Sequence, residues 1–416
     1  MDLNTLLLYF AIAACIYMAC NIGANDVANS MGTSVGSKTL TFKQAILVAA
    51  VAEFLGAFLV GGHVSDTIRK GMLDPMIFAD NPMHLVYGMI AALVASAIWL
   101  HIASSLGWPV STTHSIVGAV VGFGIAAGGA DAVSWSKVNQ VVLSWVVSPV
   151  MGGLFSFLIF ILISRLIFNS RQPLYYARQF LPYMVFVIFL ILTNSMVYKG
   201  LKNLNLNLSF SEAMLISVAV GAVAFLVTKA LAARIKVDPS LDLRTQFVAT
   251  ENIFKYLQMI TAFYVAFAHG SNDVANAVGP LAAVVATLKD GVVHTKVEMP
   301  VWILGLGGGC IVFGLMIWGR KVMKTVGEKI TEITPSRGFS AEFGAATVVL
   351  LCSKMGLPIS TTHTLVGAVI GVGLARGLPT LNLAIIKMIV ISWITTVPFT
   401  AGISMIFFKI LEYSLP

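Results

Sequence analysis

One ten-residue stretch is written twice in this chain, and it places an aspartate where hydrophobic sequence surrounds it. Gly23 to Gly32 reads GANDVANSMG, and Gly270 to Gly279 reads GSNDVANAVG. In each copy the acid, Asp26 or Asp273, stands between two asparagines: Asn25 and Asn29 in the first, Asn272 and Asn276 in the second. A charge at membrane depth is costly, so one that is retained there is a functional group by default. Carboxylate and amide carbonyl oxygens are hard ligands that suit Na+ better than soft or transition metals. Asn25, Asp26, Asn29, Asn272, Asp273 and Asn276 are therefore the candidate cation ligands.

A second motif is also duplicated, at nearly the same offset. Gly107 to Gly124 reads GWPVSTTHSIVGAVVGFG, and Gly356 to Gly373 reads GLPISTTHTLVGAVIGVG. In both, Gly and Pro interrupt a helix and Ser-Thr-Thr-His opens the next one. A helix start leaves backbone N–H groups unpaired and carries about half a positive charge, which favours an anion. Ser111, Thr112, Thr113, Ser360, Thr361 and Thr362 add hydroxyl donors, and two such termini facing each other would suit a tetrahedral oxyanion. The aspartates repel an anion unless a cation sits beside each. One charge crossing 100 mV is worth about 2.3 kcal/mol, so two monovalent cations would offset the entry of a dianion into a negative cell. His114 and His363, one turn into each helix, are expected to hold the hairpin rather than to touch the ion.

These residues must be positioned by helices. The 416 residues are 58% hydrophobic and 11% charged, with mean hydropathy +0.90, which describes an all-α integral membrane protein. Ten apolar stretches approach spanning length: Thr5 to Cys20, Ala45 to Gly62, Leu85 to Leu106, Val138 to Ile163, Leu181 to Val197, Ala213 to Ala233, Tyr256 to Phe267, Val301 to Trp318, Phe343 to Leu351 and Leu383 to Phe408. Ser115 to Ala127 and Thr364 to Ala375 are shorter and read as half-helices, giving about 12 segments in all. The first segment has no basic leader and is expected to be retained. Cys15, Cys20, Cys310 and Cys352 lack any CxxC spacing and imply neither disulfide nor metal.

The net charge of +8 is a topology signal here and not a nucleic-acid footprint. Basic clusters at Arg165, Arg171 and Arg178, at Lys229 to Arg244, and at Arg320 to Arg337 are cytoplasmic by the positive-inside rule. The loop Ser65 to Met83 and both termini then fall outside. The two aspartate motifs run in opposite directions, each within a broken helix and each followed by a helical hairpin. Residues 1–165 form a first inverted-topology repeat, 166–250 connecting helices, and 251–416 a second repeat, the plan of many secondary transporters. Glu53, also at membrane depth, is expected to serve another cation or to pair with Arg69 or Lys70. Glu342 and Lys354 flank an apolar segment and are expected to snorkel.

With these motifs the chain resembles the inorganic phosphate transporter (PiT) family, whose members carry GANDVANS and GSNDVANA with P-[VI]-S-[ST]-T-H after each. The resemblance spans nearly the whole chain and includes TPSRGFSAEF at Thr334 to Phe343. It implies a transporter and not an enzyme: symport of inorganic phosphate with Na+ as coupling ion, or with H+, at the repeated Asp/Asn and Ser/Thr positions. The bilayer is the expected surroundings, a prokaryotic inner (plasma) membrane the expected location, and a homodimer is left open. Against it stand a passive anion channel and a membrane hydrolase using Ser111, His114 and Asp26, for which no G-x-S-x-G elbow exists.

Overall fold

The computed structural model describes residues 2–60, 72–73, 75–197, 208–238, 240–294, 297, 299–354 and 359–415, with backbone only at 75, 353 and 354. The elements are helical: α1 Leu3–Ile22, α2 Ala28–Gly36, α3 Phe42–Val60, α4 Pro82–Leu106, α5 Thr112–Gly128, α6 Trp135–Ile163, α7 Pro173–Ser195 and α8 Phe210–Ala233. They continue with α9 Leu243–Asp273, α10 Ala275–Asp290, α11 Val301–Trp318, α12 Arg320–Lys324, α13 Pro335–Lys354, α14 Thr361–Leu374 and α15 Leu383–Ser414. Among the described residues the β structure is one isolated bridge, Leu73 to Val133.

Over their described residues, the twelve apolar segments expected from the sequence fall on helices; Gly61 and Gly62 of the second lie outside them. Among the described residues, eight helical runs are long and apolar enough to cross a membrane, α1 and α2 counting as one run from Leu3 to Gly36. The chain is a multi-pass membrane protein. α5 and α14 are shorter apolar helices, the half-helices of the two hairpins. Residues 65–71 and 74 of the Ser65 to Met83 loop and most of the Lys199 to Ser211 connection lie outside the described residues, as do Gly356 and Pro358.

The break expected at each aspartate motif takes a milder form. Gly23–Val27 is a π-turn that joins α1 to α2 without leaving helical backbone, for Gly23 and Ala28 both have right-handed helical angles. In the second copy Val274 alone separates α9 from α10, again with helical angles. A π-turn inserts one extra residue, widening the helix locally and releasing carbonyls from the regular ladder. Each aspartate thus sits on a defect in a helix that continues through it.

Packing is reciprocal. α1 lies on α11 and α9 on α3; α5 lies on α15 and α14 on α6. Each contact therefore joins a helix within residues 1–163 to one within residues 243–414. Glycine sets how closely these pairs approach, as small residues do between membrane helices. A methyl on Gly23 would sit 1.8 Å from the carbonyl oxygen of Ile311, and one on Gly270 would sit 2.3 Å from that of Glu53. These are the first glycines of the two aspartate motifs. Their counterparts return the contact: Gly314 meets Cys20 and Gly56 meets Phe267. The hairpin helices follow suit, with Gly122 against Ala401 and Gly371 against Gly153.

Gly270→Ala should therefore push α3 away from α9 and lower stability by about 1–3 kcal/mol, the usual cost of overpacking. Gly309→Ala should be neutral, because a methyl there meets nothing within 4 Å. Thermal melting of both variants in detergent checks this; equal melting temperatures would show that the close approach is not a constraint.

Candidate ion-binding site

The first hairpin is shaped by its own residues. Gly107 ends α4 in the left-handed region at φ 73°, its N–H bonded to Ala103 and Ser104. Pro109 follows, and Ser111 takes extended angles and caps α5 by accepting the N–H of His114 at 3.2 Å. Ser360 caps α14 in the same way, accepting from His363 at 3.1 Å. The backbone between α4 and α5 is tied to the first aspartate motif. Asn25 Nδ2 donates to the Trp108 carbonyl at 2.9 Å and to Ser104 Oγ at 3.1 Å, and its Oδ1 accepts the N–H of Val110 at 3.0 Å.

Next to these ties the two motifs meet directly. Thr112 Oγ1 donates to Asp26 Oδ2 at 2.7 Å, and Thr361 Oγ1 donates to Asp273 Oδ2 at 2.5 Å. Thr113 Oγ1 reaches Asp273 Oδ1 at 3.4 Å, across from one half of the chain to the other. Asn276 Nδ2 bridges Thr112, Thr113 and Asp273 at 3.1–3.3 Å, and Asn272 Nδ2 donates to Asp273 Oδ1 at 3.1 Å. All of these side chains are buried. The oxygens Asp26 Oδ1, Asn29 Oδ1, Asn276 Oδ1 and Thr362 Oγ1 are buried and meet no hydrogen-bond partner. Three of the four are acceptors only, the kind of atom a hard cation satisfies. The first-turn N–H groups of Thr112 and Thr113, which a helix start leaves without intrahelical partners, lie among the same hydroxyls.

The sequence reading missed the residue at the centre. His269, the residue before the second motif, places Nε2 2.9 Å from Asp273 Oδ2 and 3.8 Å from Asp26 Oδ2. Its Nδ1 lies 2.9 Å from both oxygens of Glu53. Ligand atoms of Asp26, His269 and Asp273 fall within 4.8 Å of one another. Glu53 therefore finds its partner on α9; Arg69 and Lys70 lie outside the described residues. The available signal was spacing: His269 and Asp273 are four apart on one helix face.

Glu342 departs from its expected surface role. It is fully buried, and its Oε1 accepts from Thr33 Oγ1 at 2.7 Å, Ser34 Oγ at 2.6 Å and Gln258 Nε2 at 3.0 Å, while Oε2 accepts from Thr261 Oγ1 at 2.7 Å. Gln258 Oε1 in turn accepts from Ser37 and Thr39. A buried carboxylate needs partners, and snorkelling would have left the hydroxyls of α2 and α9 unpaired. The TPSRGFSAEF segment makes this possible. Glu251 on α9 accepts the N–H and hydroxyl of Ser336 at 2.9 and 2.8 Å. Gly338 lets Gln258 come so close that a methyl there would lie 1.9 Å from Nε2. The side chain of Lys354 lies outside the described residues.

Nothing in this arrangement activates a nucleophile. Ser111 accepts from the backbone of His114, whose ring turns away onto Trp145 at 4.2 Å between centroids. Buried acids and hydroxyls lie together at two helix starts within a bundle of membrane-length helices. Residues 22–404 match the model of the phosphate transporter family, and the chain belongs to that family. A protein of Pyrococcus abyssi named "Putative phosphate permease" is 47% identical over 411 residues, covering 99% of each chain. The Arabidopsis thaliana protein named inorganic phosphate transporter 2-1, chloroplastic, is 44% identical over 99% of this chain and 74% of its own length. A solved structure titled the sodium-dependent phosphate transporter is 45% identical and superposes with a TM-score of 0.91, covering 99% of this chain and all of the other.

Because His269 bridges three buried carboxylates, removing its ring strands them. His269→Ala should cost roughly 3–5 kcal/mol, as breaking a buried ion pair does, and Glu53→Gln in the same background should recover part of that loss. Melting temperatures of the single and double variants test it; additive losses would refute a shared interaction.

Proposed function

We propose that this chain takes up inorganic phosphate together with Na+ across a prokaryotic plasma membrane by alternating access. The anion would lie between the starts of α5 and α14, contacted by Ser111, Thr112, Thr113, Ser360, Thr361 and Thr362. Na+ would be held by Asp26 with Asn29 and by Asp273 with Asn276, while Asn25 and Asn272 orient their neighbours. The observation that carries this reading is the pair of bonds from Thr112 to Asp26 and from Thr361 to Asp273.

A threonine hydroxyl has one proton to donate. While it is given to the aspartate, it is not available to an oxyanion. A cation that occupies the aspartate takes over the negative charge, and the hydroxyl is then free to turn to phosphate. Coupling follows without any long-range relay: the anion gains its donors and loses its electrostatic repulsion in the same event. The charge of the cations also offsets the membrane potential, which opposes each entering negative charge by about 2.3 kcal/mol per 100 mV.

The reciprocal packing of α1 with α11 and α3 with α9 supports two inverted repeats, residues 1–165 and 251–416, flanking connecting helices at 166–250, with both termini outside. Glu342 with Thr33, Ser34, Gln258 and Thr261 offers a further hard-oxygen site for Na+. A second reading, H+ as the coupling ion, draws on His269, whose ring lies within 2.9 Å of both Glu53 and Asp273.

Phosphate uptake by proteoliposomes with and without an inward Na+ gradient separates the two ions; equal uptake in both would sink the sodium reading. Asp26→Asn and Asp273→Asn should each raise the Na+ concentration for half-maximal uptake by about tenfold or more, equivalent to about 1.4 kcal/mol. Full Na+ dependence in both would remove the assignment. Glu342→Gln, an isostere, should lower the steepness of the Na+ dependence while leaving equilibrium phosphate binding at saturating Na+ within about twofold, less than 0.5 kcal/mol. An unchanged Na+ curve would make Glu342 purely structural.

A further inference from the structure

Behind the two hairpin starts lies a cluster that the ion site does not use. His114 and His363 are each buried, and their rings meet edge to face with centroids 4.2 Å apart at 83°. His114 lies against Trp145 of its own half at 4.2 Å, and His363 is stacked on Trp393 at 3.6 Å and 21°. The four rings form one continuous row, Trp145, His114, His363, Trp393, with one histidine from each hairpin.

Backbone chemistry locks this stack in place. Pro149 in α6 has no N–H, so the carbonyl four residues earlier, that of Trp145, has no helical donor. His363 Nδ1 donates to it at 3.4 Å. Trp393 Nε1 donates at 2.9 Å to the carbonyl of Pro109, two residues before the cap of α5. Each bond runs from one half of the chain to the other. The contacts of the two imidazoles are thus aromatic faces and a carbonyl, and the remaining ring nitrogens, both of His114 and Nε2 of His363, meet no partner. This is neither a ligand set nor a relay toward Asp26 or Asp273.

Each histidine directly follows the Thr-Thr pair of its hairpin. The edge-to-face contact of the two imidazoles therefore bears on how far Thr112 and Thr113 stand from Thr361 and Thr362. We propose that His114 and His363, clamped between Trp145 and Trp393, are positioning residues that set the gap between the two hairpin starts and thereby which tetrahedral oxyanion fits. The inference rests on the reading that these starts hold phosphate. Misplacement of binding groups by about 1 Å can cost on the order of a hundredfold in rate, so a spacer at this place governs selectivity without touching the ion.

The test compares phosphate with arsenate, the same shape but larger, in proteoliposomes under a fixed Na+ gradient. His114→Ala and His363→Ala should raise KM for phosphate more than they lower kcat, and should change the phosphate-to-arsenate ratio of kcat/KM by on the order of tenfold. His363→Phe keeps the ring and loses the bond to Trp145, and it should hold the wild-type ratio within about twofold, a small part of that change. His363→Asn loses the ring and should shift the ratio as Ala does. A packing role alone would depress both anions equally. Folded variants, judged by gel filtration and melting, that all keep the wild-type ratio would overturn the inference, as would a His363→Phe ratio shifted as far as that of His363→Ala. If the Ala variants do not fold, Trp393→Leu, which removes the flat ring from one end of the stack, should shift the ratio, and an unshifted ratio there overturns the inference equally. Absence of uptake of either anion by the wild-type protein would remove the reading beneath it instead.

Discussion

Three carboxylates gathered around one imidazole in the core of a membrane protein set the terms for everything near them. Glu53, Asp26 and Asp273 are each at most 1% exposed, and charges so close in a medium of low dielectric interact strongly whether they attract or repel. Such a group persists only if most of its polar atoms are hydrogen-bonded and its charge can be compensated. The hydroxyls of Thr112 and Thr361 supply the bonds, His269 supplies the bridge, and cations supply the proposed compensation. The close packing is part of the same requirement. Gly56 and Gly270 bring α3 to α9 near enough for Glu53 to reach His269, and Gly23 and Gly314 do the corresponding work between α1 and α11.

Much of this was legible in the sequence because it was written twice. The duplicated motifs named both aspartates and both Ser-Thr-Thr starts, and hydropathy placed every apolar segment on a helix. What duplication could not reveal was anything present once. His269 occupies the position immediately before the second motif, where the first copy has Ile22, so a search for repeated chemistry passes over it. Glu342 was misjudged for a different reason. Its donors, Thr33, Ser34, Gln258 and Thr261, come from two other helices, and serine and threonine in membrane helices ordinarily bond their own backbone. Only the packing of α2, α9 and α13 assembles them. The helix break was overestimated because glycine and asparagine mark a departure from regular helix, yet a π-turn accommodates the extra residue without ending it.

The two motifs are therefore alike in how their glycines pack and unlike in the charge beside them. Gly23 packs on the carbonyl of Ile311 as Gly270 packs on that of Glu53, which makes Ile22 with Ile311 the counterpart of His269 with Glu53. Ile22 and Ile311 are fully buried, so an apolar pair fills the place that an ion pair fills in the other half. The aspartates differ as well. Both oxygens of Asp273 are engaged, by Thr113, Thr361, Asn272, Asn276 and His269, whereas Oδ1 of Asp26 has no partner. A cation arriving at Asp26 and Asn29 finds acceptor oxygens already free. One arriving at Asp273 must displace hydrogen bonds first. Equal motifs thus become unequal sites, and on the proposed reading Asp26 fills first because Thr113, Asn272 and Asn276 already occupy Oδ1 of Asp273.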